Sequence, residues 1–359
     1  MKTILLCPEL FARESGIQRI LRLYLKALVD LAGDRDEVAL VVLNDAEMPD
    51  AVLRRYAGDR LIARHGCGGR KAAFVWRALR AAAGADRIVC GHLGQLPVAW
   101  LARWLHPRLD YYLVAHGIEV WKPYTWLERR ALHGARRILC VSEFTRREVQ
   151  GRSGLPAARF AVVPNALDPY FVDDIDCPLL SAPTPVILSV TRLDSRERYK
   201  GIDHLIAALP AVRQAVPDAR LRVIGGGDDL ARLKQQAEQV APGGAVEFAG
   251  PVDDAALRAA YRACTLFALP SRGEGFGIVF LEAMAHGKPC LGARAGAIPE
   301  IIDEASGVLV DYGDVTQIAA QLVWALHHPW DAAQIRLRAA QFSYPVFRER
   351  LRQALAAET

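Results

Sequence analysis

Short apolar runs of strand length alternate along the chain with stretches whose apolar residues return every three or four positions. That alternation predicts an α/β fold built on parallel sheets. In the first half the runs fall at residues 3–7, 38–43, 87–91, 111–115, 137–141 and 160–163. Between the first two, apolar residues at 17, 20, 21, 24, 25 and 28 make one helical stripe. The pattern breaks at 169–185, which holds four prolines and an acidic cluster, and restarts with the strand that Pro185-Val-Ile-Leu-Ser-Val opens. An interdomain linker is expected there, and 359 residues suffice for two domains with a core each. A glycine run, Gly225 to Gly227, follows the strand at 221–224. It lacks the G-x-G-x-x-G spacing, and no ribose-binding acid ends the next strand, so a dinucleotide site is poorly supported.

The stretch from Leu269 to Cys290 organises the rest. Thr265 to Leu269 reads as a buried strand, Pro270 to Gly277 as a glycine loop, and Ile278 to Ala285 as a helix stopped by Gly287. A strand, a glycine loop and a helix N-terminus together favour an anion, because unpaired amides and the positive end of the dipole meet at one point. Two carboxylates, Glu274 and Glu282, frame that point. They would repel a phosphate but accept strongly from hydroxyl groups. A phosphate flanked by polyol groups is a nucleotide sugar.

Two cations stand eight apart before this stretch, Arg192 at the end of the strand that Pro185 opens and Lys200 where a helix opens. A guanidinium fork and an ammonium point charge suit a diphosphate. His116, followed by Gly117, stands at the carboxyl end of the strand at 111–115, where α/β sheets bind ligands. Gly16 marks the passage from the first strand to its helix, where it either approaches a ligand or makes the turn. Ser142 is an N-cap candidate for the helix that follows.

Charge changes the picture in one respect. The net charge is +5, but residues 1–175 carry 26 basic against 19 acidic side chains, and the remainder is slightly acidic. Within that half, Arg70, Lys71, Arg77 and Arg80 interleave with Phe74, Val75, Trp76 and Leu79. Trp100, Leu101, Trp104 and Leu105 follow with Arg103 and Arg108. Such helices suit an anionic bilayer surface, and equally an ordinary crossover helix on a sheet. The first apolar run is only a strand long, so no signal peptide is expected, and no stretch is long enough to span a membrane. The seven cysteines, at 7, 67, 90, 140, 177, 264 and 290, never form C-x-x-C and read as reduced core residues of a cytosolic protein.

Two glutamates eight apart around Gly275-Phe276-Gly277 resemble the signature of retaining glycosyltransferases of the GT-B fold, family 4. Val163-Pro-Asn-Ala-Leu-Asp168 resembles that family's exit from its first domain, and the resemblance is densest from 185 to 310. It implies two Rossmann-like α/β domains with parallel sheets facing across a central cleft. An acceptor-binding domain would span 1–170, with a C-terminal helix at about 343–359 packing back on it, and a nucleotide-sugar domain 185–342. It also implies roles for residues of this chain. Arg192 and Lys200 would hold the diphosphate, Glu282 the ribose hydroxyls, Glu274 the sugar hydroxyls, and His116 the sugar near C6. Gly16, Gly275, Phe276, Gly277, Ile278 and Val279 would complete the donor site. Gly296 and Ala297 stand where the family usually has two glycines.

The implied reaction moves a mannose- or glucose-type hexose from a nucleoside-diphosphate sugar to a saccharide or lipid-linked saccharide, as in cell-surface polysaccharide biosynthesis. No third carboxylate sits in a motif marking a covalent nucleophile, which favours same-face displacement. No Asp-x-Asp ends a strand, so no metal is expected, nor any cofactor besides the donor, nor nucleic acid as partner. The place of work would be the cytoplasm or the inner face of its membrane. Two other readings are a silent carbohydrate- or lipid-binding scaffold and a fold-mate epimerase or phosphorylase. The first should lack Arg192, Lys200 or Glu274, which are all present. Epimerases lack this glutamate spacing, and phosphorylases have far longer chains.

Overall fold

A computed structural model describes residues 1–12, 16–172 and 184–356. Most of the expected linker, with Cys177, therefore lies outside the described residues, as do Glu14 and Thr359. The chain divides into two compact units, residues 1–168 with 344–359, and residues 169–343.

The first unit is a seven-stranded sheet: β1 (Lys2–Cys7), β2 (Glu37–Val42), β3 (Leu61–Gly66), β4 (Arg87–Cys90), β5 (Asp110–Ala115), β6 (Arg137–Cys140) and β7 (Phe160–Val162). Every pairing is parallel and the order is β3-β2-β1-β4-β5-β6-β7. Ile4, Val41, Ile88 and Leu113 carry its core, all under 2% exposed. These continuous Val/Ile/Leu runs are what a sheet covered on both faces requires. The edge strand β3 is an addition to the sequence reading. Its burial alternates and it carries Arg64 and His65, so no apolar run announces it. The helix Asp50–Ala57 leads into it.

The helix Gly16–Leu31 follows β1, and the last helix, Tyr344–Ala356, packs on it. Phe347 meets Tyr24 edge-on at 5.0 Å, and the Tyr344 hydroxyl donates to Asp30 at 2.6 Å. At the end of the unit Asp168 accepts from the Tyr56 hydroxyl at 2.5 Å.

The second unit repeats the plan with six strands: β8 (Val186–Val190), β9 (Arg220–Ile224), β10 (Val246–Gly250), β11 (Leu266–Leu269), β12 (Cys290–Ala293) and β13 (Gly307–Val310). The order is β10-β9-β8-β11-β12-β13, again parallel throughout. In each unit the chain order reverses once, between β1 and β4 and between β8 and β11. Crevices outside the carboxyl ends of strands at such a reversal are where open α/β sheets bind ligands. The six described cysteines are buried and unbridged.

Three helices of the first unit divide the residues of the amphipathic pattern between core and solvent. Lys71–Ala82 packs beside Leu96–Leu105, and that beside Trp126–Gly134. Phe74 is buried in the core and Trp100 is half-buried. Trp76, Trp104 and Trp126 stand 59%, 76% and 67% exposed. Among the described residues, no helix is long and apolar enough to cross a membrane.

Candidate functional site

The loop after β8 carries Arg192 and is seated on the glycine run. Thr191 N–H donates to Ile224, and Leu193 N–H to Gly226, both at 3.0 Å. A Cβ on Gly225 would lie 1.8 Å from the Thr191 carbonyl oxygen, and one on Gly227 2.1 Å from that of Leu193. These glycines exist to let two backbones touch. Arg192 itself is mostly exposed, and its guanidinium donates to Glu197 at 2.5 Å.

Lys200 ends the short turn Ser195–Lys200, and the helix Ile202–Ala215 starts after Gly201. Its ammonium meets Glu274 at 2.6 Å, with both side chains mostly buried. The loop from Pro270 to Gly277 is thus pinned to the turn before it. Arg272 N–H donates to the Tyr199 carbonyl at 3.0 Å, and Gly273 has no room for a Cβ against the Tyr199 ring. Burial first, then the Glu197 and Glu274 carboxylates, push the Tyr199 phenol up, so it stays protonated.

Behind Glu274 lies the loop after β12. Ala297 N–H donates to the Glu274 carbonyl at 3.1 Å, and a Cβ on Gly296 would come within 2.7 Å of that oxygen. Gly296 has φ +59°, whereas Ala297 has ordinary helical angles, which is why alanine fits there.

Gly277, at φ +96°, turns the loop into the helix Ile278–Ala285, and among the described residues no side chain caps that helix. Ile278 and Val279 open it, half-buried. Phe276 is buried and meets Phe342 at 5.7 Å, and the neighbouring Gly275 is half-buried. Glu282, one turn on, is buried and accepts from the Tyr261 hydroxyl at 2.9 Å. The second unit therefore gathers a paired ammonium and carboxylate, an exposed guanidinium and an uncapped helix start around the β8–β11 reversal. Tyr261 and Glu197, the polar partners, carry no local motif. They stand at ordinary helix and turn positions in the sequence.

In the first unit, Gly16 opens its helix. The loop between β1 and that helix is clasped by the buried Asp45, which accepts from the amides of Leu10, Phe11 and Ala12 at 2.9–3.0 Å. His116 follows β5, with Nε2 2.9 Å from the Gly91 carbonyl after β4. A carbonyl only accepts, so Nε2 bears the proton and Nδ1 is an acceptor. That Nδ1 is buried and has no partner among the described residues. Glu119 fixes the backbone here, accepting from the amides of His116 and Gly117 at 2.6 and 3.1 Å.

Burial holds the His116 imidazole below its ordinary pKa of 6.5, against the opposing pull of Glu119. A neutral imidazole is the form able to accept from a sugar hydroxyl. In the role that the resemblance implies for His116, turnover should hold as pH falls through 6.5 and drop only below it, where protonation removes the acceptor. The same depressed pKa withdraws stability as pH falls, because the unfolded chain takes the proton first. His116→Gln, which keeps an acceptor oxygen, should flatten the acid limb of kcat against pH. An unchanged limb would remove His116 from the site.

Two doubly wound units, one with cations, carboxylates and a helix N-terminus at its strand reversal, define an α/β protein of the GT-B fold. The Anabaena protein HepE, solved with UDP and glucose, superimposes with a TM-score of 0.76 over 99% of both chains at 22% identity. Two family models match, Glycosyltransferase Family 4 over residues 15–171 and Glycosyl transferases group 1 over residues 184–328. The chain belongs to this family of glycosyltransferases. A GDP-mannose-dependent alpha-(1-6)-phosphatidylinositol monomannoside mannosyltransferase of Mycolicibacterium smegmatis is 32% identical over 64% of this chain and 63% of its own length. A GDP-mannose-dependent monoacylated alpha-(1-6)-phosphatidylinositol monomannoside mannosyltransferase of Corynebacterium glutamicum is 34% identical over 49% and 48%. The chain thus spans less than two thirds of the curated relatives it matches.

Proposed function

We propose that the chain transfers a hexose, with retention at the anomeric carbon, from a nucleoside-diphosphate sugar to a saccharide or lipid-linked saccharide. One observation carries this reading. Lys200 and Glu274 meet at 2.6 Å in the loop that leads to an uncapped helix, on the strand reversal that Arg192 also follows. The ammonium, the guanidinium and the helix dipole would take the departing diphosphate's charge, and Glu274 would orient the sugar beside it. In same-face displacement the bond from the anomeric carbon to the diphosphate breaks as the acceptor oxygen bonds to that carbon. The acceptor's proton passes to the leaving phosphate oxygen. With the charge carried by side chains and amides, the reading calls for no metal and no cofactor.

The relatives named above take GDP-mannose, and HepE was solved with UDP. Their names also support a lipid-linked acceptor. Thermal unfolding with UDP, GDP and ADP tests the donor. A nucleotide at 100 times its dissociation constant stabilises by about 2.7 kcal/mol, and one of the three should raise the melting temperature well above the others. A chain indifferent to all three is not a nucleotide-sugar transferase.

A further inference from the structure

Glu282 poses a physical problem that its neighbours solve. A carboxylate only 4% exposed is costly unless donors satisfy it. Its terminal torsion is also broad, so burial alone does not fix the plane of its oxygens. Tyr261, 21 residues earlier on the helix Asp254–Ala263, donates to Oε2 at 2.9 Å and has no exposed surface of its own.

The Tyr261 ring is in turn held on three sides. His286 stacks on it at 5.6 Å with 17° between planes, Phe171 meets it edge-on at 6.3 Å, and Phe267 tilts against it at 5.9 Å. His286 closes the circuit: its Nδ1 lies 2.7 Å from the Glu282 carbonyl oxygen, so this nitrogen carries the proton. Burial keeps that imidazole neutral. Backbone, ring stack, phenol and carboxylate thus form a closed loop of contacts around one side chain. A surface carboxylate that merely solubilised the helix would need none of it.

We propose that Tyr261 is a positioning residue for the nucleotide's ribose: its hydroxyl sets the plane of the Glu282 carboxylate that accepts from the ribose diol. The inference rests on the reading of the second unit as the donor site. A diol engages a carboxylate through directional hydrogen bonds, so a carboxylate locked in one plane binds it without losing torsional freedom. Ribose contacts are the same before and during the transfer, so the effect belongs to donor binding and not to the chemical step.

The test is calorimetric titration of the whole chain with whichever of UDP, GDP and ADP stabilises it, and with the 2′,3′-dideoxy form of the same nucleotide. Wild type should bind the ribose form more tightly than the dideoxy form. Tyr261→Phe, which removes one oxygen and keeps the ring stack, should weaken the ribose form roughly tenfold, the worth of one charge-assisted hydrogen bond. It should leave the dideoxy form unchanged. In turnover, the donor's KM should rise with kcat within about twofold. The ratio of the two affinities is measured on one folded sample, so a general loss of stability cannot imitate it. Equal weakening of both nucleotides, or undiminished discrimination, overturns the role of Tyr261 alone. A wild type that binds both forms equally, or none, overturns the ribose reading of Glu282 and this proposal with it.

Discussion

Lys200→Ala is expected to lower kcat/KM by two to three orders of magnitude and to destabilise the chain, whereas Arg192→Ala should match the first loss without the second. Both cations face the diphosphate in the proposed site, and removing one preorganised group that stabilises developing charge costs about 2.7–4 kcal/mol in the transition state. Their ground-state surroundings differ. Lys200 and Glu274 are 16% and 12% exposed, so truncating the lysine leaves a mostly buried carboxylate without its partner, at about 1–3 kcal/mol. The Arg192 side chain is 68% exposed, and its pair with Glu197 is a surface pair worth at most about 1 kcal/mol.

Joint replacement of Lys200 and Glu274 by alanine separates the two effects, because it removes the stranded charge. Stability should recover in the double variant while activity stays lost. Steady-state kinetics beside thermal unfolding of the four proteins checks this. Wild-type turnover in both single variants would take the diphosphate out of this crevice, and a double variant no more stable than Lys200→Ala would make the ion pair energetically idle.

What the sequence made legible were features with a local signature. The strand, glycine loop and helix at 265–285 follow from a short apolar run, Pro270, and glycines at both helix ends, and the helix forms at Ile278–Ala285 as read. The first helix and the Ser142 cap, which accepts from Thr145 N–H at 3.0 Å, are equally local. Strand β3 was not legible because an edge strand needs apolar residues on few of its positions, and Arg64 and His65 interrupt them.

The glycines at 225–227 lack the dinucleotide spacing, and the sequence left their purpose open; the structure sets them against the Thr191–Leu193 backbone. Partners across the fold left the least trace. Tyr261 reads as one more apolar position of an amphipathic helix, and only the parallel alignment of β8 and β11 brings the segments around them to one end of the sheet. Charge partners such as Glu197 are set by side-chain reach within a turn, which no period or spacing encodes.

The basic, aromatic helices of the first unit carry the other large expected effect. Segments 70–82, 96–108 and 122–134 together hold nine lysines and arginines against a single acid, Glu128. Burial redistributes what the sequence offered: Phe74 turns inward, while Trp126 on the third helix joins Trp76 and Trp104 in solvent. Arg80 lies over the Trp76 ring at 5.3 Å and Arg130 over that of Trp126 at 5.5 Å, so each ring carries a cation beside it. Amphipathic rings with adjacent cations are what an anionic headgroup layer takes up, and a lipid-linked acceptor would keep the enzyme at that layer. Arg77 is the wrong residue to probe, since it donates to the Gly66 carbonyl at 2.7 Å and helps hold β3 in place. Arg80 and Arg130 are the free choice, exposed and on separate helices. Each basic residue near such a surface contributes about 1 kcal/mol, so Arg80→Glu with Arg130→Glu should weaken binding to anionic vesicles by at least about 2 kcal/mol, roughly thirtyfold. High salt should weaken wild type in the same direction, because these charges are screened. Replacing Trp76, Trp104 and Trp126 by serine should weaken binding at low and high salt alike, since the apolar part is not screened. Co-sedimentation with phosphatidylserine-containing and phosphatidylcholine vesicles reads all of this. Equal recovery in the supernatant with both lipids would leave a soluble saccharide as the acceptor and these tryptophans without a bilayer to meet.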